Sequence, residues 1–429
     1  MGYPVCPNRR CQGEPVNLVD ARWLSSGNKQ RWSNTSRSVI SYRPKADVCN
    51  VLIVIAIMAW VCDYRTMVHH DWSDIGERVQ LTRAALGMSQ TELADAMGLD
   101  RTMVAKIEAG SRRIDALELS RLSTALKVPM AHFLESQPLV LSRRMIPLTD
   151  DTETDAGRES NMLDLALESW MRELRQLIEL GTLEARPALA FPSPVNDGQA
   201  ARTAAGWLRN ELQLGMEPID SMLGLCERAG QFVLVTELEG DGASALDGEL
   251  GAAVVSLKGD PARRRATAAH ELGHLVLGDE YSSDLGVHAS RASREAVIDT
   301  FAAELLLPSS IFLKDSVSKE PISRERLLGI AARYRTSWSL TLKQAAAAGA
   351  GPIPKAWTRS NPTKAEFLEA LGWAPQPDLE SVRVSPAVAS SVMRAWRRGL
   401  ITRRRAVELM HGQIQDSDLP VDAEVDLEP

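Results

Sequence analysis

Two histidines and a glutamate stand at the spacing of a helical metal site in His270–Glu271–Leu272–Gly273–His274. On an α-helix, residues i and i+4 share a face, so both histidines can reach one ion. Imidazole nitrogens suit Zn²⁺ at about 2.0–2.1 Å, and zinc lowers the pKa of a bound water to about 7. Glu271 flanks that water and can accept its proton. The motif therefore predicts zinc-assisted hydrolysis, with His270 and His274 as ligands and Glu271 as general base.

A third protein ligand is expected downstream of this motif. Glu295 lies 21 residues after His274, and Asp299 follows one helical turn later. A carboxylate that holds the second ring nitrogen of a ligand histidine fixes the orientation of that ring. We therefore favour Glu295 as the ligand and Asp299 as the residue that orients a histidine. Glu304 and His288 remain alternatives for the third ligand.

The elements that must position these residues follow from hydrophobic periodicity. Apolar residues on both sides of the motif predict a buried helix. The strand before it is expected to pair with an extended substrate. The overall pattern is α+β, with helices grouped around a small sheet. Helices are expected at 162–180, 200–212 and 219–229, and strands at 231–236 and 252–257.

Two strings in this region, RRRATAAHELGHLVLG and then EAVIDTFAAELLLP, closely resemble the ImmA/IrrE-type metallopeptidases from about residue 200 to 345. The resemblance implies a zincin-like fold, a Zn²⁺ cofactor, the ligands His270, His274 and Glu295, and Glu271 as base. Asp299 stands where the family more often has Asn. Members typically cut one peptide bond in an XRE-type repressor. The resemblance thus implies a zinc endopeptidase with a repressor protein as substrate, controlling stress-response or mobile-element genes.

A second segment with functional potential lies upstream of the zinc motif. Ser89, with Glu92 three residues later, is a capping box that predicts the start of a short helix. Gly98 predicts a turn, and a second short helix is expected over 101–108. A short helix, a tight turn and a second helix are the geometry that lays a recognition helix in the major groove of DNA. An ordinary helical bundle is the alternative.

The string MSQTELADAMGLDRTMVAKIEAGSRR closely resembles the XRE (Cro/repressor-type) helix-turn-helix family over about 60 residues. The resemblance implies that Gln90 lies against a phosphate or a base edge, and that Arg101, Thr102 and Lys106 point into the groove. Arginine and lysine suit guanine edges and phosphates, and threonine suits a thymine methyl. One such module binds weakly, so we expect a homodimer on a two-fold double-stranded DNA operator.

Charge and cysteine content limit the other possibilities. The 429-residue chain has a formal net charge of −7, which excludes nucleic-acid binding by bulk charge but not by one small domain. Its length predicts two to four domains. Five cysteines are too few for a disulfide scaffold and favour a reducing compartment. Together with operator binding, this predicts a cytoplasmic protein.

The first 72 residues differ from the rest of the sequence. Residues 1–47 show no helical or strand period, and an apolar run follows at 51–62. That run is shorter than the roughly 20 residues of a membrane-spanning helix, so no membrane partner is expected. We favour Met67 as the true start, with residues 1–66 as translated upstream sequence. A disordered lead or a weak membrane anchor are the alternatives.

These observations predict a mainly α-helical, multidomain protein with a small α+β part. An all-α helix-turn-helix bundle should come first, then the metallopeptidase domain, then a helical tail. The expected segments are an atypical lead (1–72), the DNA-binding domain (73–136), a linker (137–160), the metallopeptidase domain (161–349), a helical C-terminal region (350–415) and a disordered acidic tail (416–429).

Two function hypotheses follow from this organisation. The first is a DNA-binding regulator with an active zinc endopeptidase domain. The second is an XRE-type repressor or antitoxin whose zinc-fold domain serves only sensing or dimerisation. The intact residue set favours the first, because a site that no longer acts as a peptidase has no need of Glu271.

Overall fold

The computed structural model describes residues 71–134, 139–144, 155–278, 288–313 and 322–420. Our expectations for residues 1–70, including a start at Met67, lie outside this part of the chain. Within it, none of the helices has the length and apolar character needed to cross a bilayer.

The N-terminal part is a small helical bundle around its own core. The short helices α2 and α3 stand at the expected places, and the Ser89–Glu92 capping box is formed. Gly98, in the left-handed conformation, ends α2 and permits the tight turn into α3. Val104 and Ile107 of α3 are fully buried against the other helices. The bundle consists of α1 (Trp72–Ala85), α2 (Gln90–Met97), α3 (Arg101–Glu108), α4 (Ala116–Ala125) and α5 (Ala131–Leu134).

A five-stranded mixed sheet forms the centre of the C-terminal part. Its order is β1-β3-β4-β2-β5, with β2 and β4 parallel and the other neighbouring pairs antiparallel. Strand β4 and all but the last residue of β2 are buried because both faces of the sheet are covered by helices. The strands are β1 (Leu139–Arg144), β2 (Gln231–Thr236), β3 (Gly242–Asp247), β4 (Leu250–Ser256) and β5 (Arg383–Val384).

Two layers of helices cover the two faces of the sheet. Val233 and Val255 pack in the core shared with α7, α8, α9 and α10, whereas Phe232 and Val254 pack in the core shared with α6, α14 and α15. The first layer is α7 (Gly198–Glu211), α8 (Met222–Arg228), α9 (Pro261–Leu277) and α10 (His288–Leu306). The second layer is α6 (Asp155–Glu179), α14 (Pro386–Arg397) and α15 (Arg403–Leu409).

A third cluster of helices has its own small core. It is formed by α11 (Arg324–Tyr334), α12 (Trp338–Ala347) and α13 (Lys364–Leu371). The Arg324 guanidinium stacks on the Trp338 ring at 4.9 Å and pairs with Glu366 on α13. These contacts join residues that were predicted to lie in two different segments, 161–349 and 350–415.

Three expected segments need correction. The linker predicted at 137–160 contains the edge strand β1 and the first turns of α6. Its apolar residues 139–141 belong to β1, which pairs with β3. The C-terminal region predicted at 350–415 is not only helical, since β5 pairs with β2. The tail predicted to be disordered from 416 is ordered up to 420, where Arg403 binds Asp416 and Leu419 is buried.

Candidate metal centre and nucleic-acid interface

Local sequence features determine where the motif helix α9 begins and ends. Asp260 caps its start by accepting from the amide of Ala262, and Pro261 occupies the first turn. Gly278, in the left-handed conformation, ends it. The helix lies between the sheet and α10, so its middle is almost without solvent contact. His270 and His274 are buried, and Glu271 has no exposed surface.

Helix α10 approaches α9 closely at Gly273. A Cβ atom at this position would lie 2.9 Å from Ile298 Cγ2 and 3.0 Å from Phe301 Cδ1. Any larger residue would push α10 away from α9. The glycine inside the H-E-x-x-H motif therefore sets the distance at which α10 presents Glu295.

Three donor atoms converge between the two helices. The His270 and His274 Nε2 atoms lie 3.1 Å apart, and Glu295 Oε2 lies 3.0 Å from the first and 3.8 Å from the second. Among the described residues, His270, His274 and Glu295 are the set whose donor atoms lie close enough together to hold one ion. Glu295, the residue favoured from the sequence as the third ligand, thus lies beside the two histidines, and its role as a ligand stays a prediction.

These distances fit a tetrahedral zinc ion. Four ligands at about 2.0–2.1 Å in a tetrahedron stand roughly 3.3 Å from one another. The observed separations of 3.0, 3.1 and 3.8 Å bracket that value. Two imidazoles and one carboxylate are also the ligand types of catalytic zinc sites, which leave a fourth position for water or substrate.

Asp299 fixes the His270 ring. Its Oδ1 lies 2.9 Å from His270 Nδ1, so the proton sits on Nδ1 and Nε2 is directed at the candidate metal position. Burial opposes protonation of His270, but the bonds to Asp299 and Glu295 outweigh it and raise its pKa. For Glu295, burial acts in the opposite direction, yet the two histidines hold the pKa of its carboxyl well below the usual range. The ligand carboxylate is thus ionised at neutral pH.

Glu271 sits beside this cluster with one oxygen occupied. Its Oε2 accepts a hydrogen bond of 2.7 Å from Ser244 Oγ on β3. Its Oε1 is buried and has no hydrogen-bond partner among the described residues. A buried carboxylate oxygen without a donor is costly, and a water held at the metal position would satisfy it. Glu271 therefore has one buried oxygen that is free to accept a hydrogen bond or a proton.

The two rivals for the third ligand are elsewhere or undescribed. Glu304 accepts from Arg202 at 2.6 Å and from Gln344 at 3.1 Å. It also accepts from the Ser309 amide, so its role is to tie α10 to neighbouring segments. His288 is the first residue of α10, and its side chain lies outside the described part of the structure.

The expected substrate-pairing strand is not available for that task. Residues 252–257, predicted to be this strand, lie in β4 except for the last one. Both edges of β4 are hydrogen-bonded, to β3 and to β2, so no backbone donors or acceptors remain for a peptide. The strand that borders the motif helix nearer the sheet edge is β3. It was missed because its residues GASALD lie in a Gly/Asp-rich stretch that reads as a connection.

In the helix-turn-helix part, three of the four predicted DNA contacts are accessible. Arg101, Thr102 and Lys106 are exposed on α3. Gln90 is only half-exposed, and its amide donates to Glu108 Oε2 at 2.9 Å. Glu108 is also paired with Arg83 at 2.5 Å. The buried Glu108 therefore orients Gln90 at the start of α2, which sequence reasoning did not foresee.

The comparisons with known proteins divide along the same two parts. Residues 79–133 match the helix-turn-helix family model, and residues 226–344 match the model of the IrrE N-terminal-like domain. The chain therefore combines an XRE-type helix-turn-helix region with an α+β domain of the IrrE N-terminal-like kind. This confirms the two resemblances and the fold class expected from the sequence.

Curated relatives match the helix-turn-helix part. An "uncharacterized HTH-type transcriptional regulator" of Sinorhizobium medicae (strain WSM419) is 38% identical over 64 residues, which are 15% of this chain and 46% of that protein. An "uncharacterized transcriptional regulator in ATPase CF(0) region" of Rhodospirillum rubrum is 38% identical over 71 residues, 17% of this chain and 65% of that protein. The chain spans about half the length of the first of these.

A solved structure also matches a short part of the chain. The restriction-modification controller protein C.AhdI from Aeromonas hydrophila is 34% identical, and the match covers 15% of this chain and 98% of that one. The TM-score is 0.15, so this likeness carries no structural argument.

Proposed function

We propose that this protein is a DNA-binding transcriptional regulator of the cytoplasm with a zinc-dependent endopeptidase domain that cleaves a repressor protein. The observation that carries the peptidase assignment is the convergence of His270, His274 and Glu295 within 4.8 Å, next to the buried carboxylate of Glu271. The observation that supports DNA binding is the exposed face of α3 in a region that matches the helix-turn-helix family.

The chemistry follows from the positions of these side chains. When bound, a zinc ion at this centre would polarise the scissile carbonyl and acidify a water molecule. Glu271 would accept a proton from that water through its unpartnered Oε1, while Ser244 holds the other carboxylate oxygen in place. The water oxygen would bond to the carbonyl carbon, and Glu271 would then deliver the proton to the leaving nitrogen as the C–N bond breaks, which yields one new carboxylate and one new amine.

DNA binding would bring this activity to an operator. Arg101 and Lys106 can meet phosphates or guanine edges, and Thr102 can meet a thymine methyl. One N–H of the Gln90 amide donates to Glu108, which leaves its second N–H and its carbonyl oxygen for a phosphate or a base edge. Helix-turn-helix modules of this size read two half-sites as dimers, so we propose a homodimer on a two-fold operator.

The test uses Glu271→Gln in the native cell. New N-termini are mapped by mass spectrometry in strains that express the wild type, Glu271→Gln, or the matched control Glu249→Gln, whose side chain is exposed in the β3–β4 turn. We expect one repressor fragment in the wild type and the control strain and its absence in the Glu271→Gln strain, with zinc and operator binding retained. Normal gene regulation by Glu271→Gln without any lost fragment would instead support a sensing or dimerisation role for the zinc fold.

A further inference from the structure

One edge of the sheet beside the candidate metal centre is covered by a segment from between the two domains. Strand β1 pairs antiparallel with β3, with Leu139 opposite Leu246 and Arg144 opposite Gly242. The other edge of β3 is bonded to β4. Without β1, therefore, β3 would be the free outer strand on this side.

Strand β3 passes directly over the general base. Ser244 donates to Glu271 Oε2 at 2.7 Å. A Cβ atom on Gly242 would lie 2.8 Å from Thr267 Cγ2 and 3.5 Å from Glu271 Oε1, so the β3 backbone rests on α9. The register places Ser142 opposite Ser244, with a shift in pairing between Val140 and Ser142. The middle of β1 thus lies one strand away from the residue that is bonded to Glu271.

That position is the one an extended peptide needs. Extended peptides bind by adding a strand to a sheet edge, because the edge supplies unpaired backbone donors and acceptors. On this side of the sheet the strand over Glu271 is β3, since β4 is paired on both sides. A peptide that reaches Glu271 along the sheet must therefore take the place that β1 holds.

We propose that residues 139–144 occupy the substrate-binding edge of the peptidase site and keep extended peptides from it until β1 is displaced. The inference rests on the peptidase function proposed above. In this proposal, β3 is the strand that binds the substrate, and the substrate is an extended peptide that runs antiparallel to β3. The inhibitor is β1, a segment of the same chain.

The helix-turn-helix region is connected closely enough to move β1. From Leu134 at the end of α5 to Leu139, five residue steps reach at most about 18 Å. His132 on α5 bonds Glu168 on α6 at 2.7 Å and Thr82 on α1 at 2.9 Å. These bonds hold the DNA-binding helices on α6. Only a shift that takes Leu134 beyond this reach from Leu139 would have to displace β1, and such a shift would break the His132 bond to Glu168.

The test measures binding rather than cleavage. The probe is a fluorescein-labelled peptide with the sequence of residues 137–146, and the protein is the full zinc-loaded chain with Glu271→Gln. In one variant residues 139–144 are replaced by alternating glycine and serine, and in the control variant residues 149–154 are replaced in the same way. Fluorescence anisotropy should show the peptide binding about tenfold or more tightly to the first variant than to the unreplaced chain. The control variant should bind like the unreplaced chain.

Two further measurements keep the result decisive. The same peptide with proline for Val140 and Ser142 should lose its affinity for the first variant, because proline cannot donate to a ladder. If the six-residue replacement unfolds the chain, the single change Ser142→Pro takes its place. Equal peptide affinity of replaced and unreplaced chains overturns the proposal. Tighter binding without any Glu271-dependent cleavage upholds this proposal and overturns the peptidase function.

Discussion

Ser244 on β3 donates a 2.7 Å hydrogen bond to Oε2 of Glu271, the buried glutamate of the motif helix. The bond fixes one oxygen of the carboxylate, while the other, the buried Oε1, has no hydrogen-bond partner among the described residues. The sheet therefore supplies a donor that orients the candidate base, which the motif helix alone does not do.

Ser244→Ala should slow peptide hydrolysis without loss of zinc. A hydrogen bond to a charged group contributes about 1.5–3 kcal/mol, so we expect kcat to fall about tenfold or more. The control is Ser391→Ala, which removes another buried serine hydroxyl, bonded to Thr182 on the far side of the sheet. Turnover of the repressor substrate and zinc content are measured together. Unchanged kcat in Ser244→Ala would show that this bond does not serve the base.

Glu295→Gln should release the metal, whereas Glu304→Gln should not. Glu295 Oε2 lies 3.0 Å from His270 Nε2, whereas Glu304 accepts hydrogen bonds from Arg202 and Gln344. A neutral amide is a poorer ligand for Zn²⁺, so the zinc affinity of Glu295→Gln should fall by about 10- to 100-fold or more. Glu304→Gln should keep its zinc and melt at a lower temperature. Competition with a zinc-chelating dye and thermal melting check both outcomes. Full zinc affinity in Glu295→Gln would rule it out as a ligand.

The parts of this site that the sequence predicts are those set by local spacing. His270, Glu271 and His274 share one helix, and Glu295 with Asp299 share the next, so helical periodicity relates them. Ser244 was not foreseen because its position over Glu271 depends on the pairing of β3 with β1 and β4. Pairing between strands distant in sequence leaves no local pattern, and the short, small residues of β3 resemble a loop. For the same reason, β1 was predicted to be part of a linker.

Lys106→Ala should weaken operator binding in a way that depends on salt. Lys106 is exposed near the end of α3, where a phosphate contact would release about one counterion. We therefore expect weaker binding to every sequence and a salt slope lower by about 1. Arg121→Ala, an exposed residue on α4, is the matched control and should leave the slope unchanged. Identical slopes for the wild type and Lys106→Ala would exclude a phosphate contact.

The ion pair of Arg112 with Glu118 should make the helix-turn-helix region sensitive to acid. The two side chains meet at 2.5 Å, and the hydrogen bond from Arg112 lowers the pKa of Glu118 below its ordinary 4.5. A lowered folded-state pKa gives stability that is present above about pH 4.5 and is lost as the pH falls through the folded value. Glu118→Gln should thus melt earlier than the wild type near pH 7, and the difference should shrink as the pH falls below the ordinary pKa of 4.5 and through the lowered pKa of Glu118. A difference independent of pH would contradict this.

Removal of Asp378 should unfold much of the C-terminal part. Asp378 receives Arg265 of α9 at 2.5 Å and the Met222 amide at 3.1 Å, and Arg265 is 1% exposed. Burial lowers the pKa of Arg265, and the charge and hydrogen bond of Asp378 oppose that effect, so the guanidinium depends on this carboxylate. Asp378→Ala leaves that charge unpaired, at a cost of about 3–5 kcal/mol in the free energy of unfolding.

The double variant Arg265→Met, Asp378→Leu distinguishes the cost of an unpaired buried charge from the loss of side-chain packing. With both charges absent, no desolvated ion remains, and the urea midpoint should recover most of the loss seen in Asp378→Ala. Zinc content should follow folding, because Arg265 lies on the motif helix five residues before His270. If Asp378→Ala unfolds at the same urea concentration as the wild type, the ion pair with Arg265 does not stabilise this part of the fold.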